Sequence, residues 1–401
     1  MFSRPLSALL ALSAAPALAA PAPPEVRGLW VVRTALVSPQ AVDQVVEAAH
    51  EGGFTDLFVQ VRGRGDAFYA SKVVGRSSLL LQQPASFDPL ARLMESARSR
   101  GLHVHAWVNV LLAAHFGLPL PPDHVVREHP DWLMVPRTAA ARALSAPKAS
   151  LLSIVGQAGR VVGEAEGYYL WPSAPGVSEH LEAVVRELVR SYSVDGLHLD
   201  FIRYPSAEYD YSRAALERFG RGAGDLLGAP SRNPAAWDEY RRETLTALAR
   251  RLTDGARAER PGIVLSAAVV PDEAQALNHR FQDWPGWMKA ALLNAVCPMV
   301  YTPDGRIFRS QVEQARARVP AGQALWAGIG AYRLTLAAIV ERIQVARASG
   351  ATGVVLFSNE SLMAPDWKRL RQEAFPLAVA TSVSWGALAP RPPDPPAAPR
   401  E

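Results

Sequence analysis

Between residues 26 and 375 the chain repeats one unit eight times: an apolar strand, a turn and an amphipathic helix. The strands read at 28–33, 56–62, 102–110, 197–202, 263–270, 295–301, 325–329 and 353–358. Helices at 39–49, 88–100, 179–192, 237–259, 286–293, 308–318, 336–349 and 366–375 alternate with them; the first carries Val42, Val45, Val46 and Ala49 at helical spacing. Strands joined through helices run parallel, and a parallel sheet is buried on both faces, which accounts for the near-continuous apolarity of these segments. A doubly wound sheet would place a Gly-rich phosphate loop after its first strand, and none follows residue 33. The α/β pattern therefore points to a closed (β/α)8 TIM barrel.

Two connections are longer than joints need to be. Residues 111–178 follow strand three and are rich in proline, histidine and tryptophan, as in His129-Pro130-Asp131-Trp132 and Tyr168-Tyr169-Leu170-Trp171-Pro172. Residues 206–234 follow strand four. Connections of this length commonly form a lid or a wall of a site.

At the start, Arg4, an apolar run at 6–18 and Ala17-Leu18-Ala19 match the three parts of a secretory signal, so residues 1–19 are expected to be removed on export. The run is too short for a membrane span and Pro16 interrupts it. Residues 20–25 read as a linker, 26–380 as the barrel domain, and 389–401 as a Pro/Ala-rich disordered tail. Cys297 is the only cysteine, so neither an intrachain disulfide nor a zinc-binding cysteine pair is available, and stability must come from the core. The net charge of +4 rests on arginines scattered over helices, which read as a solvated surface, and no nucleic-acid motif is present.

The most informative stretch is Val194-Asp195-Gly196-Leu197-His198-Leu199-Asp200-Phe201-Ile202-Arg203-Tyr204-Pro205. Alternation puts His198, Asp200 and Ile202 on one face of the strand. Asp195 and Asp200 lie roughly 17 Å apart along an extended chain, at opposite strand ends. In a TIM barrel the C-terminal end carries chemistry and the N-terminal end stability, which assigns Asp200 to a site and Asp195 to structure. The other strand ends contribute Arg33; Arg62, Arg64, Asp66 and Tyr69; His105, Trp107 and Asn109; Arg203 and Tyr204; Asp272 and Glu273; Tyr301 and Asp304; Tyr332; Asn359 and Glu360. Carboxylates, aromatic faces and hydrogen-bonding groups are what sugar recognition and glycosidic cleavage require. The glycines of Arg62-Gly63-Arg64-Gly65-Asp66 do not open a helix, so this is a loop over the barrel mouth and not a nucleotide cradle. His103 and His105 have a metal-ligand spacing, but strands five and six supply no further histidine, so no metal or other cofactor is expected. No Gly-x-Ser-x-Gly elbow occurs.

Three segments together resemble the bacterial glycosyl-hydrolase-like family ten, envelope barrels that include a division-associated enzyme cleaving peptidoglycan glycan strands. They are Phe58-Val59-Gln60-Val61-Arg62 with Gly65-Asp66-Ala67-Phe68-Tyr69-Ala70-Ser71, residues 101–109 with His105-Ala106-Trp107-Val108-Asn109, and residues 194–205. The resemblance implies a TIM barrel and glycoside hydrolysis, with Arg62, Asp66, Tyr69, His105, Asn109, Asp200 and Tyr301 as site positions. Leu170-Trp171-Pro172-Ser173 stands where the family tends to have an asparagine-containing turn, and Phe201-Ile202-Arg203 where it often continues with acidic and aromatic residues.

The expectation is an exported hydrolase of an envelope polysaccharide, peptidoglycan glycan first. Asp200 is its first catalytic carboxylate, and Glu360 is the leading partner, with Asp304 and then Asp272 behind. Arg62, Asp66, Tyr69, His105, Trp107, Asn109, Arg203, Tyr204 and Tyr301 are expected to bind substrate. The competing expectations are a glycan-binding barrel without catalysis and a metal-dependent hydrolase. A carboxylate within about 10 Å of Asp200 discriminates the first of these from an enzyme.

Overall fold

The structure, a computed structural model, describes residues 25–376 apart from 175, 222 and 223. The expected signal at 1–19, most of the linker, residues 377–380 and the tail lie outside the described residues. Eight parallel strands close into a barrel in sequence order: β1 Val26–Val31, β2 Asp56–Arg62, β3 His103–Asn109, β4 Gly196–Asp200, β5 Val264–Val269, β6 Ala295–Val300, β7 Ala324–Gly330 and β8 Gly353–Phe357. Closure is made by β8 against β1, with Leu29 opposite Leu356 and Trp30 opposite Phe357.

The covering helices are α1 Pro39–Glu51, α2 Pro89–Arg98, α3 Val177–Ser191, α4 Pro234–Glu259, α5 Trp284–Lys289, α6 Gly305–Arg318, α7 Leu336–Ala348 and α8 Ala364–Glu373. Side chains of Ser38, Asp88, Asn233, Asp283, Asp304 and Thr335 accept backbone N–H bonds at helix starts. The first helix buries Val42, Val45, Val46 and Ala49, the four residues its spacing singles out. Among the described residues no helix is long and apolar enough to cross a membrane.

The core has two shells. Between sheet and helices lie alternate strand residues such as Leu29, Val31, Leu57, Val59, Leu197 and Leu199. Inside the barrel Trp30, Phe58, Trp107, Cys297, Trp326 and Val355 interlock. His198 belongs to this inner shell: Trp30 Nε1 donates to its Nε2 at 3.3 Å, and its Nδ1 lies 2.9 Å from Ser266 Oγ. Burial pushes its pKa down to about 3, so it is a neutral packing residue that hydrogen-bonds at both nitrogens.

The strand expected at 197–202 stops at Asp200, because Phe201 turns the backbone to a φ of +50°. This left-handed conformation is uncommon for a residue with a side chain. Beyond it the alternation no longer holds. Ile202 turns into the outer core, whereas Phe201 and Arg203 reach the barrel mouth.

At the N-terminal strand ends, Asp56 is buried beside His103 Nδ1 at 3.6 Å and His105 Nε2 at 3.1 Å. Burial alone would raise the Asp56 pKa, but hydrogen bonds from His103 and His105 outweigh it and hold the carboxyl well below the usual range. His103 is raised in turn, chiefly by its bond to Asp56. The Asp56 contribution to stability is present above its unfolded pKa of about 4 and lost on acidification through the folded value. The His103 contribution is full below about 6.5 and lost as pH rises through its raised folded value. Replacing Asp56 by Ala strands two histidines, and we expect it to cost about 3–5 kcal/mol. The loss should be greatest between about pH 4 and 6.5, and chemical denaturation across that range measures it.

Candidate active site

At the C-terminal end of the barrel a cavity of about 340 Å³ opens, within the usual size of small-molecule sites. Its inner wall is aromatic: Trp30 from β1, Trp107 from β3, Phe357 from β8, and Tyr301 just after β6. Tyr301 stacks on Phe357 with centroids 5.5 Å apart, and Trp30 meets Tyr301 edge-on at 6.3 Å. Asn109 fixes the Trp107 indole, accepting from its Nε1 at 2.8 Å while its own Nδ2 donates to the Gly63 carbonyl at 2.8 Å.

Asp200 lies on this wall, nearly buried at 6% exposure. Its Oδ1 accepts from the Phe201 backbone N–H at 2.6 Å and from Arg203 Nη1 at 3.2 Å. Oδ2 has no partner among the described residues. Burial raises the Asp200 pKa, and the charge of Arg203 and the Phe201 N–H offset only part of that rise. A carboxyl in this state can hold a proton in the pH range where ordinary carboxylates have lost theirs.

A second carboxylate faces it. Glu166, half exposed, comes from the long insertion after β3 and lies 3.8 Å from Arg203 Nη2. It accepts a hydrogen bond from the Tyr169 hydroxyl. The Arg203 guanidinium, stacked 4.3 Å over the Phe201 ring, thus touches both acids. One guanidinium contacting both limits their separation to less than about 10 Å, compatible with paired-carboxylate chemistry. Glu166 is positioned by a short antiparallel pairing of Leu112–Ala114 with Tyr168–Tyr169, which ties the start of the insertion to its later part. Gly167 makes that approach possible, since a Cβ there would stand 1.9 Å from the Ala114 carbonyl oxygen.

The structure brings Asp200, Trp107, Asn109, Arg203 and Tyr301 together on the cavity, with Arg33 and Arg64 from the other strand ends, and places the remaining expected catalytic and substrate-binding residues elsewhere. Glu360 sits on the exposed turn after β8 and takes the Thr34 hydroxyl. Asp304 caps α6 through the N–H groups of Arg306 and Ile307, which hold its carboxyl below the usual range. Asp272 likewise caps the short helix Glu273–Asn278. His105 is a layer too deep, bound to Asp56 and stacked on Phe58 at 4.5 Å. Arg62 is fully buried because a register shift between Gln60 and Arg62 turns it under the loop, where it donates to the carbonyls of Asn109 and Val110. Tyr69 packs edge-on against Tyr192 and Tyr204 against Phe281, both outside the cavity. Asp66 accepts from the Arg64 N–H at 2.9 Å and lines an adjoining cleft. Among the described residues no group of three or more His, Cys, Asp or Glu side chains could hold a metal ion.

The family model described as Glycosyl hydrolase-like 10 matches residues 25–344. The chain belongs to that family. Glycosyl hydrolase YngK of Bacillus subtilis is 23% identical over 286 residues, covering 65% of this chain and 49% of the relative. Glycosyl hydrolase DigH of Escherichia coli K12 is 23% identical over 300 residues, covering 68% of this chain and 60% of that protein. The chain therefore spans about half the length of the curated relatives it matches. Among solved structures, the PgaB (BpsB) glycoside hydrolase domain from Bordetella bronchiseptica superposes with a TM-score of 0.65 at 14% identity, covering 88% of this chain and 99% of that one. The alpha-L-fucosidase isoenzyme 2 from Paenibacillus thiaminolyticus gives 0.60 at 15% identity over 88% of this chain and 49% of its own. At these identities the likeness is one of fold, and the Glycosyl hydrolase-like 10 membership rests on the sequence match.

Glu166 was missed from sequence because the insertion holding it has no strand or helix period that orders its acids. The available signal was its place two residues ahead of Tyr168-Tyr169, in a connection long enough to form a wall.

Proposed function

We propose that this protein is an exported glycoside hydrolase of a bacterial envelope polysaccharide, with the glycan strands of peptidoglycan as its first candidate substrate. The observation that carries the reading is Asp200 and Glu166, both in contact with Arg203, on a cavity walled by Trp30, Trp107 and Tyr301. Family membership and the names of YngK and DigH support the reaction class. Residues 1–19 support export, and the resemblance of residues 58–71, 101–109 and 194–205 supports the substrate.

In this reading Asp200 is the general acid. Its raised pKa keeps a proton available for the leaving glycosidic oxygen, and Oδ2 is the oxygen free to deliver it. Glu166, open to solvent, is the second carboxylate, acting on water or on the anomeric carbon. The aromatic wall stacks against sugar C–H faces, and Asn109 keeps Trp107 upright.

Incubation with purified peptidoglycan, with and without stem peptides, followed by mass spectrometry of released fragments, tests the function. Saccharide fragments with new reducing ends are expected. Intact strands in both preparations would remove the substrate, and failure across a panel of envelope glycans would remove the reaction. Export predicts that protein purified from its native cells begins near residue 20; a retained Met1 would contradict it.

A further inference from the structure

The strand ends that line the cavity differ in charge. Asp200 and Arg203 follow β4 and Glu166 comes from the insertion after β3, whereas Arg33, Gln60, Gly63 and Arg64 come from the ends of β1 and β2. Arg33 Nη1 donates to Gln60 Oε1 at 3.1 Å, and the side chain lies flat over Gly63, where a Cβ would stand 2.9 Å from Arg33 Cδ. Arg64 comes from the same Gly63-Arg64-Gly65 turn. Both arginines also line the adjoining cleft of about 150 Å³, so they stand where the two spaces meet, beside His115.

Asp66 and Glu360 lie close enough for their charges to act on Arg33, but neither pairs directly with the guanidinium of Arg33 or Arg64. Asp66 receives the Arg64 backbone N–H, Glu360 receives the Thr34 hydroxyl, and Asp123 lines the adjoining cleft. No Arg33 or Arg64 ion pair within 4 Å occurs among the described residues, whereas many surface arginines of this chain have one. Burial and then the charge of Arg64 lower the Arg33 pKa, and the charges of Asp66 and Glu360 offset only part of that, so a further anion beside the two guanidinium groups would be favourable. Two guanidinium forks facing one space match the planar geometry of a carboxylate.

We propose that Arg33 and Arg64 form a carboxylate-binding subsite beside the cleavage point, so that the glycan taken is acidic. The carboxylate is that of a sugar ring or of a lactyl ether on it, bound at the end of the cavity formed by β1 and β2. The proposal rests on the reading of the cavity as a glycan-cleaving site and narrows its substrate class.

The test is titration of the full-length Asp200→Asn protein with two acidic glycans: peptide-free peptidoglycan strands, which carry lactyl carboxylates, and oligogalacturonate, which carries uronic acids. Each is paired with its carboxyl-reduced form. We expect at least one acidic form to bind about tenfold tighter than its reduced partner, with the difference shrinking at high salt. Which pair shows it tells lactyl from uronic recognition. Arg64→Gln should abolish the preference and Arg64→Lys should keep part of it. Arg33→Gln should act likewise, but because Arg33 braces Gln60 and Gly63, Arg64→Gln carries the test if that variant misfolds. Equal binding of acidic and reduced forms, or no binding of either acidic glycan, overturns the subsite. Cleavage of a neutral glycan by wild type in that case leaves the hydrolase reading intact. Arginine-dependent acidic binding with no cleavage of any glycan keeps the subsite and ends the hydrolase reading.

Discussion

Asp200→Asn should lower turnover of a cleavable glycan by about 10³-fold while leaving the melting temperature at or above that of wild type. The two halves of this result come from one fact. Asp200 is buried, and its pKa is raised chiefly by that burial. An acid whose pKa is higher in the folded state costs stability once the pH exceeds its unfolded value, so an uncharged amide of the same shape returns that cost. The Asn side chain can still accept from the Phe201 N–H, and Arg203 keeps its contact with Glu166. A purely structural role for the Asp200–Arg203 pair predicts the reverse: normal turnover and a loss of about 3–5 kcal/mol from an unpaired buried cation. The wild-type pH profile is a second readout. If protonated Asp200 is the acid, kcat falls as pH rises through a value above the ordinary carboxylate range. Asp195→Asn is the control at the strand's other end. Asp195 Oδ2 accepts the Val104 N–H at 2.8 Å, so the change touches stability and leaves turnover alone. Normal turnover by Asp200→Asn would remove it from the chemistry.

The barrel was legible because its strands and helices are set by local pattern. Apolar runs of five to seven residues alternate with helices whose starts carry Ser38, Asp88, Asn233 and Thr335 as caps. Placing a residue at a strand's C-terminal end was a weaker inference, because it assumed unbroken alternation. The register shift at Gln60 and Arg62 buries an arginine that simple counting puts at the mouth. The positive φ of Phe201 sends Ile202 outward and brings Arg203 round to Asp200. Depth along the strand matters as well: His105 and Trp107 are two residues apart on β3, yet one binds Asp56 and the other faces the cavity. Asp304 could have been separated from sequence, since an aspartate directly ahead of Gly305-Arg306-Ile307-Phe308 has the form of a helix cap. Glu166 could not be chosen over Glu164 without that long-range strand pairing, because only the pairing of Tyr168–Tyr169 with Leu112–Ala114 decides which acid turns toward Arg203.

Glu166→Gln carries the other large expected effect, and its value lies in what does not change. Glu166 is half exposed and lies on an insertion, so the substitution should shift stability by less than about 1 kcal/mol. If it is the second carboxylate, turnover should still fall by about 10²–10⁴-fold. The double variant with Asp200→Asn should lose little more than the worse single one, because two groups serving one reaction do not contribute additively. Glu360→Gln should keep wild-type turnover, since its carboxylate serves Thr34 on an exposed turn. Asp304→Ala should cost about 1 kcal/mol as a lost helix cap, without a direct chemical effect. The anomer first released, followed by proton NMR, then assigns the role of Glu166. Retention requires it to attack the anomeric carbon, with the carboxyls about 5–5.5 Å apart, whereas inversion has it activate water across about 6.5–9.5 Å. Wild-type rates in Glu166→Gln alongside a dead Asp200→Asn would leave Asp200 as the only protein acid, with the second role passing to a group on the substrate.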